Sequence, residues 1–385
     1  MISKSDHAKF LERKYEYYFM NTNPTTSAAH NAPQVGFSDF KPPIWQSEAI
    51  QMAVKKILSS RNLAIENLTE KQVGDAIAQA ISCGDFIRHV RVSDDAQSIL
   101  LLGASGNIGS AFAAELHRRK IKFESPPRRW VDYTKFDVLL NYLKTLKPEF
   151  VINCAGFTGK PNVDACEKNK PATLAGNVHL PIRIAHACAT LGIPWLHVSS
   201  GCIFNGPGPF SENNLPNFSF DHPPCSFYSG SKALAEDCIA GIGQCYICRL
   251  RLPFDECDGP RNYLSKLQRY SKVYEATNSI SHRGDFVKAA LDLWEKKAPF
   301  GIYNMTNPGY VTTRQVVMMM HVMLNLDREW EFFDNDVEFY STAAIAPRSN
   351  CVLSTIKLAG AGVTMRPVET AVADALHHWQ AEKAG

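Results

Sequence analysis

From residue 98 onward the chain alternates short, unbroken apolar runs with stretches whose apolar positions recur at helical spacing. SILLLG precedes NIGSAFAAELHRRK, IKFES precedes a segment from Phe136 to Leu146, and FVINCAG precedes a long segment across Asn177 to Leu191. PWLHVSS then leads to a helix from about Tyr228, and CYICRLRLP follows it. Continuous apolar strands separated by helices predict a parallel sheet covered on both faces. The expected fold class is α/β, a Rossmann-type doubly wound parallel sheet over about 98–250. A smaller C-terminal part is expected mainly over about 251–385.

Residues 1–97 follow another pattern. Three helix-like pieces are predicted: roughly Asp6 to Met20, Trp45 to Ser60, and one opening at the capping box Thr69-Glu-Lys-Gln72. A loop rich in Pro, Asn, Ser and Thr separates the first two. This reads as a helical N-terminal extension that packs on the main domain or on a partner.

Composition narrows the function classes. Of 385 residues, 45% are hydrophobic and 21% charged, ordinary values for a globular protein. A net charge of +3 gives no reason to expect nucleic acid or an acidic membrane surface. No apolar run reaches the ~18 residues that a membrane span needs. Eleven cysteines without framework spacing suggest reduced thiols and a cytoplasmic location. Cys245 and Cys248 form a CxxC, but inside the strand-like CYICRLRL, so packing is expected and no metal site.

Two stretches carry chemistry. In LLGASGNIG, Gly103, Gly106 and Gly109 are spaced as GxxGxxG after a strand and into a helix, with Ser105, Asn107 and Ile108 between and beside them. Such a turn brings backbone N–H groups and a helix N-terminus to a pyrophosphate. Asn153, Ala155 and Gly156, in what reads as the fourth-strand region, let the backbone pass close to a dinucleotide. Beyond the second strand, Glu124 suits a ribose 2′-hydroxyl, whereas Arg128 and Arg129 suit a 2′-phosphate. The arginines point to NADPH, with Arg129 the assigned contact, and NADH stays open. In FYSGSKALAE, Tyr228 and Lys232 lie four apart on one helix face. A phenol titrates near ~10, and an ammonium beside it stabilises phenolate, so the pair suits proton delivery to a carbonyl as hydride arrives.

The order of these motifs resembles the extended short-chain dehydrogenase/reductases, within them the dTDP-4-dehydrorhamnose reductase family. The likeness extends to bifunctional enzymes that perform 3,5-epimerisation and 4-reduction to make nucleotide-linked rhamnose. It rests on NCAGFTGKPNVDACE, SSGCIF, FYSGSKALAE, RLRLPFDECDGPRNYLSKLQRYSKV, IYNMTNPGYVT and APRSN, and leaves residues 1–97 uncovered. The resemblance implies Ser200 as the strand-end hydroxyl, often threonine in such enzymes, with Tyr228 and Lys232 as the catalytic pair. It implies Cys202 and Lys266 as the epimerisation pair, and a nucleotide-sugar substrate. Lys160, Arg261, Asn262 and Arg348 are candidate substrate contacts; Asn307-Pro-Gly reads as a turn near that pocket. Two alternatives stay open: a 4-reductase without epimerase activity, and a non-catalytic dinucleotide-binding regulatory subunit. A homodimer, or a partner docked through the N-terminal extension, also stays open.

Overall fold

The computed structural model describes residues 98–160 and 162–381; the three N-terminal helix-like pieces lie outside the described residues. Six parallel strands form the central sheet: β1 (Ile99–Leu102), β2 (Phe123–Glu124), β3 (Phe150–Asn153), β4 (Trp195–Ser200), β5 (Cys245–Leu250) and β6 (Gly301–Asn304). Their spatial order is β2-β1-β3-β4-β5-β6. The chain passes from β1 outward to β2, then returns to the far side of β1, so a topological switch point lies between β1 and β3. Ligands of open α/β sheets bind beyond the strands' carboxyl ends at such a point.

The apolar runs read as featureless in sequence, yet their alternation sorts them to two faces. Leu100 and Leu102 join a core with α2 (Phe136–Leu146) and α3 (Leu180–Leu191). Ile99 and Leu101 join the opposite core with α1 (Asn107–Arg118) and α6 (Arg283–Glu295); labels α4 and α5 go to Phe227–Ile239 and Tyr263–Arg269. The same alternation places Cys245 on one face and Cys248 on the other. The CxxC is packing, as its setting in a strand predicts.

Three boundaries differ from the sequence reading. FVINCAG is the third strand, not the fourth, because only Phe123–Glu124 pairs on the far side of β1. The segment before α3 is helical from Lys170, passing through a π-helical turn at Ala175–His179. A division at residue 250 also fails to separate the layers. Strand β6 pairs with β5, and Phe286 of α6 meets Phe112 of α1 edge to face. The second half of the chain thus returns to complete the sheet. It builds its own core as well, around Phe254, Leu264, Val316 and Val372.

Buried polar groups fasten these pieces. Asn307 is fully buried; its Oδ1 accepts from His282 N (2.6 Å), and its amide donates to Asp285 and to the Arg366 carbonyl. It is an internal tie. Glu236 of α4 meets Arg249 of β5 at 2.7 Å, with both side chains almost fully buried, and also accepts from Ser199 of β4. Removing one partner of a buried ion pair strands the other charge. Glu236→Ala is expected to destabilise the domain by about 3–5 kcal/mol, and Glu236→Gln by less, as read from urea unfolding.

Candidate active site

The loop that leaves β1 turns at Gly103, whose φ of +82° an L-side chain rarely adopts. A Cβ there would lie 2.6 Å from the Ala155 nitrogen, so β1 and β3 emerge in near contact. A Cβ at Gly109 would come to 2.0 Å of the Gly103 carbonyl. Both glycines are dictated by space. No side chain caps α1 and no carboxylate occupies its first turn. Its leading N–H groups and its positive dipole end stay available to an anion. Ser105 and Gly106 are exposed here, while Asn107 and Ile108 are half-buried. Arg283 steadies the turn from α6 by donating to the Asn107 carbonyl and Oδ1. Arg129 is exposed beyond β2; Glu124 is half-buried, and burial raises its carboxyl above the usual range.

Asn153 closes β3. Its Oδ1 accepts from the Ala155 N–H at 3.0 Å, and its amide nitrogen stands 3.1 Å from His197 Nδ1. Gly156 lies against Asn177 of the π-helical turn. Asn177 accepts from Phe157 N and donates to the Phe157 carbonyl and to Ser231 Oγ. The loop after β3 is thereby clamped to α4.

Helix α4 carries Tyr228 and Lys232, the pair expected to handle the proton. Ser226 caps it by accepting from Ser229 N, and Glu167 accepts from Phe227 N. Tyr228 is half-buried, and Ser200 stands at the end of β4. Burial, then Cys202, hold the phenol well above its ordinary value, and the Ser200 hydroxyl acts the other way. One turn later Lys232 is buried. Its Nζ donates to the Val198 carbonyl at 2.9 Å and lies 3.3 Å from His197 Nε2. Burial pulls its ammonium down to about 8, against the pull of Glu236 and Cys202.

A second group gathers past the hydroxyl. Ser200 Oγ accepts from Cys202 N, and Arg251 Nη1 donates to Cys202 Sγ at 3.5 Å. The other Arg251 contacts run to Asn278 and Ser349, all neutral oxygens. Lys266, half-buried on α5, is lowered first by burial and then by Arg261 and Arg348, with Cys202 opposing. Arg348 forms a two-pronged pair with Asp164 at 2.7 Å, and Arg261 donates to the Gly159 carbonyl. Lys160 is exposed beside Gly159. Asn262 does something else. It is buried, caps α5 by accepting from Leu264 N, and spends its amide on Asp255 and Cys257. Its amide donors are committed, which removes the reason for reading it as a sugar contact.

Sequence reasoning missed His197, Asn177 and Arg251. The available signals were a histidine inside an apolar strand and an arginine inside RLRLP. Among the described residues no cluster of His, Cys, Asp and Glu suits a metal, and no helix is long and apolar enough to cross a membrane.

Residues 97–381 match the family model described as the RmlD substrate binding domain. The chain belongs to that family. A bifunctional dTDP-4-dehydrorhamnose 3,5-epimerase/reductase of Arabidopsis thaliana is 30% identical over 275 residues, covering 69% of this chain and 88% of that protein. A trifunctional UDP-glucose 4,6-dehydratase/UDP-4-keto-6-deoxy-D-glucose 3,5-epimerase/UDP-4-keto-L-rhamnose reductase of the same plant is 31% identical over 268 residues. That match covers 67% of this chain but spans only 38% of the relative's length. The UDP-rhamnose synthase of Acanthamoeba polyphaga mimivirus shares the fold, with a TM-score of 0.67 at 22% identity over 74% of this chain and 99% of that one.

In this RmlD-family chain, Gly109→Ala is expected to push the β1–α1 turn apart and weaken dinucleotide binding by about tenfold or more. Calorimetric titration of NADPH into the variant and the parent measures it.

Proposed function

We propose that the protein reduces a nucleotide-linked (UDP or dTDP) 4-keto-6-deoxyhexose, with NADPH as the preferred reductant, and inverts C3 and C5 in the same site to give a nucleotide-rhamnose. The observation that carries the reading is Tyr228 and Lys232 one turn apart on α4, alongside the end of β4 that bears Ser200, with Lys232 buried and bonded to the Val198 carbonyl. The relatives' names point the same way.

The residues present fit a dinucleotide. The β1 turn would meet its diphosphate, and the contact between Gly103 and Ala155 leaves the switch point lined by backbone. Arg128 and Arg129 supply the cations that a 2′-phosphate needs. When bound, the reduced nicotinamide supplies a hydride. Ser200 Oγ holds the C4 carbonyl oxygen, and Tyr228 gives that oxygen its proton. Lys232, charged, stabilises the phenolate left behind. The raised phenol suits an acid that must keep its proton until oxygen becomes basic.

Epimerisation precedes reduction in this scheme, because the 4-keto group is what acidifies the protons on C3 and C5. Inversion needs one group to take a proton and another to return one from the opposite face. Cys202 and Lys266 fill those roles, and Arg251 stands against the Cys202 sulfur as a fixed positive charge. Arg261 and the exposed Lys160 supply cations for the substrate diphosphate, while the charge of Arg348 is paired with Asp164.

The deciding experiment mixes protein, NADPH and UDP-4-keto-6-deoxyglucose in deuterated water, with the dTDP sugar in parallel. NADPH absorbance should fall, and the product should carry deuterium at C3 and C5. Unchanged absorbance with both sugars would sink the reading; reduction without deuterium would leave a plain 4-reductase. Tyr228→Phe is expected to slow hydride transfer by about 10²–10⁴-fold. Cys202→Ala should abolish deuterium incorporation while leaving NADPH affinity unchanged.

A further inference from the structure

Four groups form a continuous chain beneath the catalytic helix: the Ala155 N–H, the Asn153 amide, the His197 ring and Lys232 Nζ. The links measure 3.0, 3.1 and 3.3 Å. His197 and Asn153 are almost fully buried, so water does not rescue a bad contact. Burial, the first cause, holds His197 well below the ordinary histidine value, and near-complete burial between β3 and α4 keeps its ring neutral with one donor and one acceptor.

The two ends of the chain decide its direction. A backbone N–H only donates, so Asn153 presents its oxygen to Ala155 and its NH₂ to His197. His197 Nδ1 must then accept, and the ring proton sits on Nε2, aimed at Lys232. An ammonium also only donates. With Lys232 charged, both ends are donors, and one link must set donor against donor whichever way the amide and ring are turned. With Lys232 as a neutral amine, its lone pair accepts from His197 Nε2 while an N–H still serves the Val198 carbonyl. Only that state satisfies every link. The other charged or titratable groups near Lys232 are Glu236 and Tyr228 on its own helix and Cys202 on the turn after β4.

We propose that Asn153 and His197 form a one-way hydrogen-bond wire that favours the uncharged amine of Lys232 in the empty site, so that at alkaline pH binding of a nicotinamide dinucleotide draws a proton from solvent onto Lys232. The inference rests on the function proposed above. A ribose diol offers Nζ two oxygen acceptors, and the dinucleotide brings negative charge; both favour the ammonium. His197 is thus a positioning residue. It favours the amine of Lys232 in the empty site, and cofactor binding restores the ammonium that stabilises the phenolate formed when Tyr228 gives up its proton.

The test has two arms. In the first, imidazole ¹⁵N NMR of the cofactor-free protein reads the His197 tautomer, with the signal assigned by its loss in His197→Gln. A proton on Nε2 is expected; a proton on Nδ1, or on both nitrogens, overturns the wire. In the second, NADPH is titrated calorimetrically in buffers of different ionisation enthalpy. With Lys232 at about 8, uptake should be about half a proton per site at pH 8 and near zero at pH 6. The sign follows from linkage: the amine gains its proton on binding, so affinity weakens as pH rises above about 8. His197→Leu leaves burial, the first cause of the lowered Lys232, in place, so the uptake at pH 8 should fall without vanishing. His197→Gln, which also offers one donor and one acceptor, should restore it. Binding without proton uptake in the parent protein overturns the proposal and spares the function. Absence of binding by NADPH and NADH overturns the function and the coupling with it, and the tautomer still decides the wire.

Discussion

The structure depends on a polar seam where α4 crosses the carboxyl half of β4. A central parallel strand, covered on both faces, is the most costly place to leave a polar group unmatched. Here it carries His197, Ser199 and Ser200, all buried. Lys232 of α4 answers His197, Glu236 of α4 answers Ser199, and Ser200 accepts from Cys202 N. Tyr228, Lys232 and Glu236 lie four apart in succession, which is one face of a helix. The four-residue spacing of Tyr228 and Lys232, on which the proposed chemistry rests, therefore also sets the height of α4 against the sheet. The register proposed for catalysis and the structural register are the same.

Arg249 and Arg251 show how one strand serves both ends. Arg249 lies within β5 and Arg251 directly follows its end, two residues on. The first is neutralised by Glu236 inside the fold. The second has neutral oxygens and the Cys202 sulfur around it, and no carboxylate among the hydrogen-bond partners described for it. One arginine stabilises the frame, and the other brings positive charge to the place where the proposed chemistry needs it. The return of the chain through α6 and β6 matters for the same reason. Arg283 reaches the β1 turn from α6, so the second half of the chain steadies the dinucleotide end as well as building its own core.

The alternation of apolar runs with helical stretches predicted the parallel sheet, and the glycine triplet predicted the turn that β1 makes. Those features are local: each needs only a few neighbouring residues to be recognised. Less local features escaped. The π-helical turn that presents Asn177 has no sequence mark. Asn262 sits in a stretch that resembles a substrate loop, but a buried cap on α5 claims its side chain. The boundary near 250 misled because strand β6 is short and follows the helix that packs back on α1.

The sequence by itself determined the element order, the two-faced sheet, the glycine turn and the four-residue spacing of Tyr228 and Lys232. Periodicity and steric need at single positions are properties of short segments, so they survive in a string of letters. Tertiary structure alone decided which buried donors meet which acceptors. Asn153 and His197 are 44 positions apart, and His197 and Lys232 are 35 apart. Arg251 and Cys202 are 49 apart. Hydrogen bonds act over about 3 Å and depend on direction. Only the assembled sheet, which brings β3, β4, β5 and α4 side by side, fixes where the protons lie.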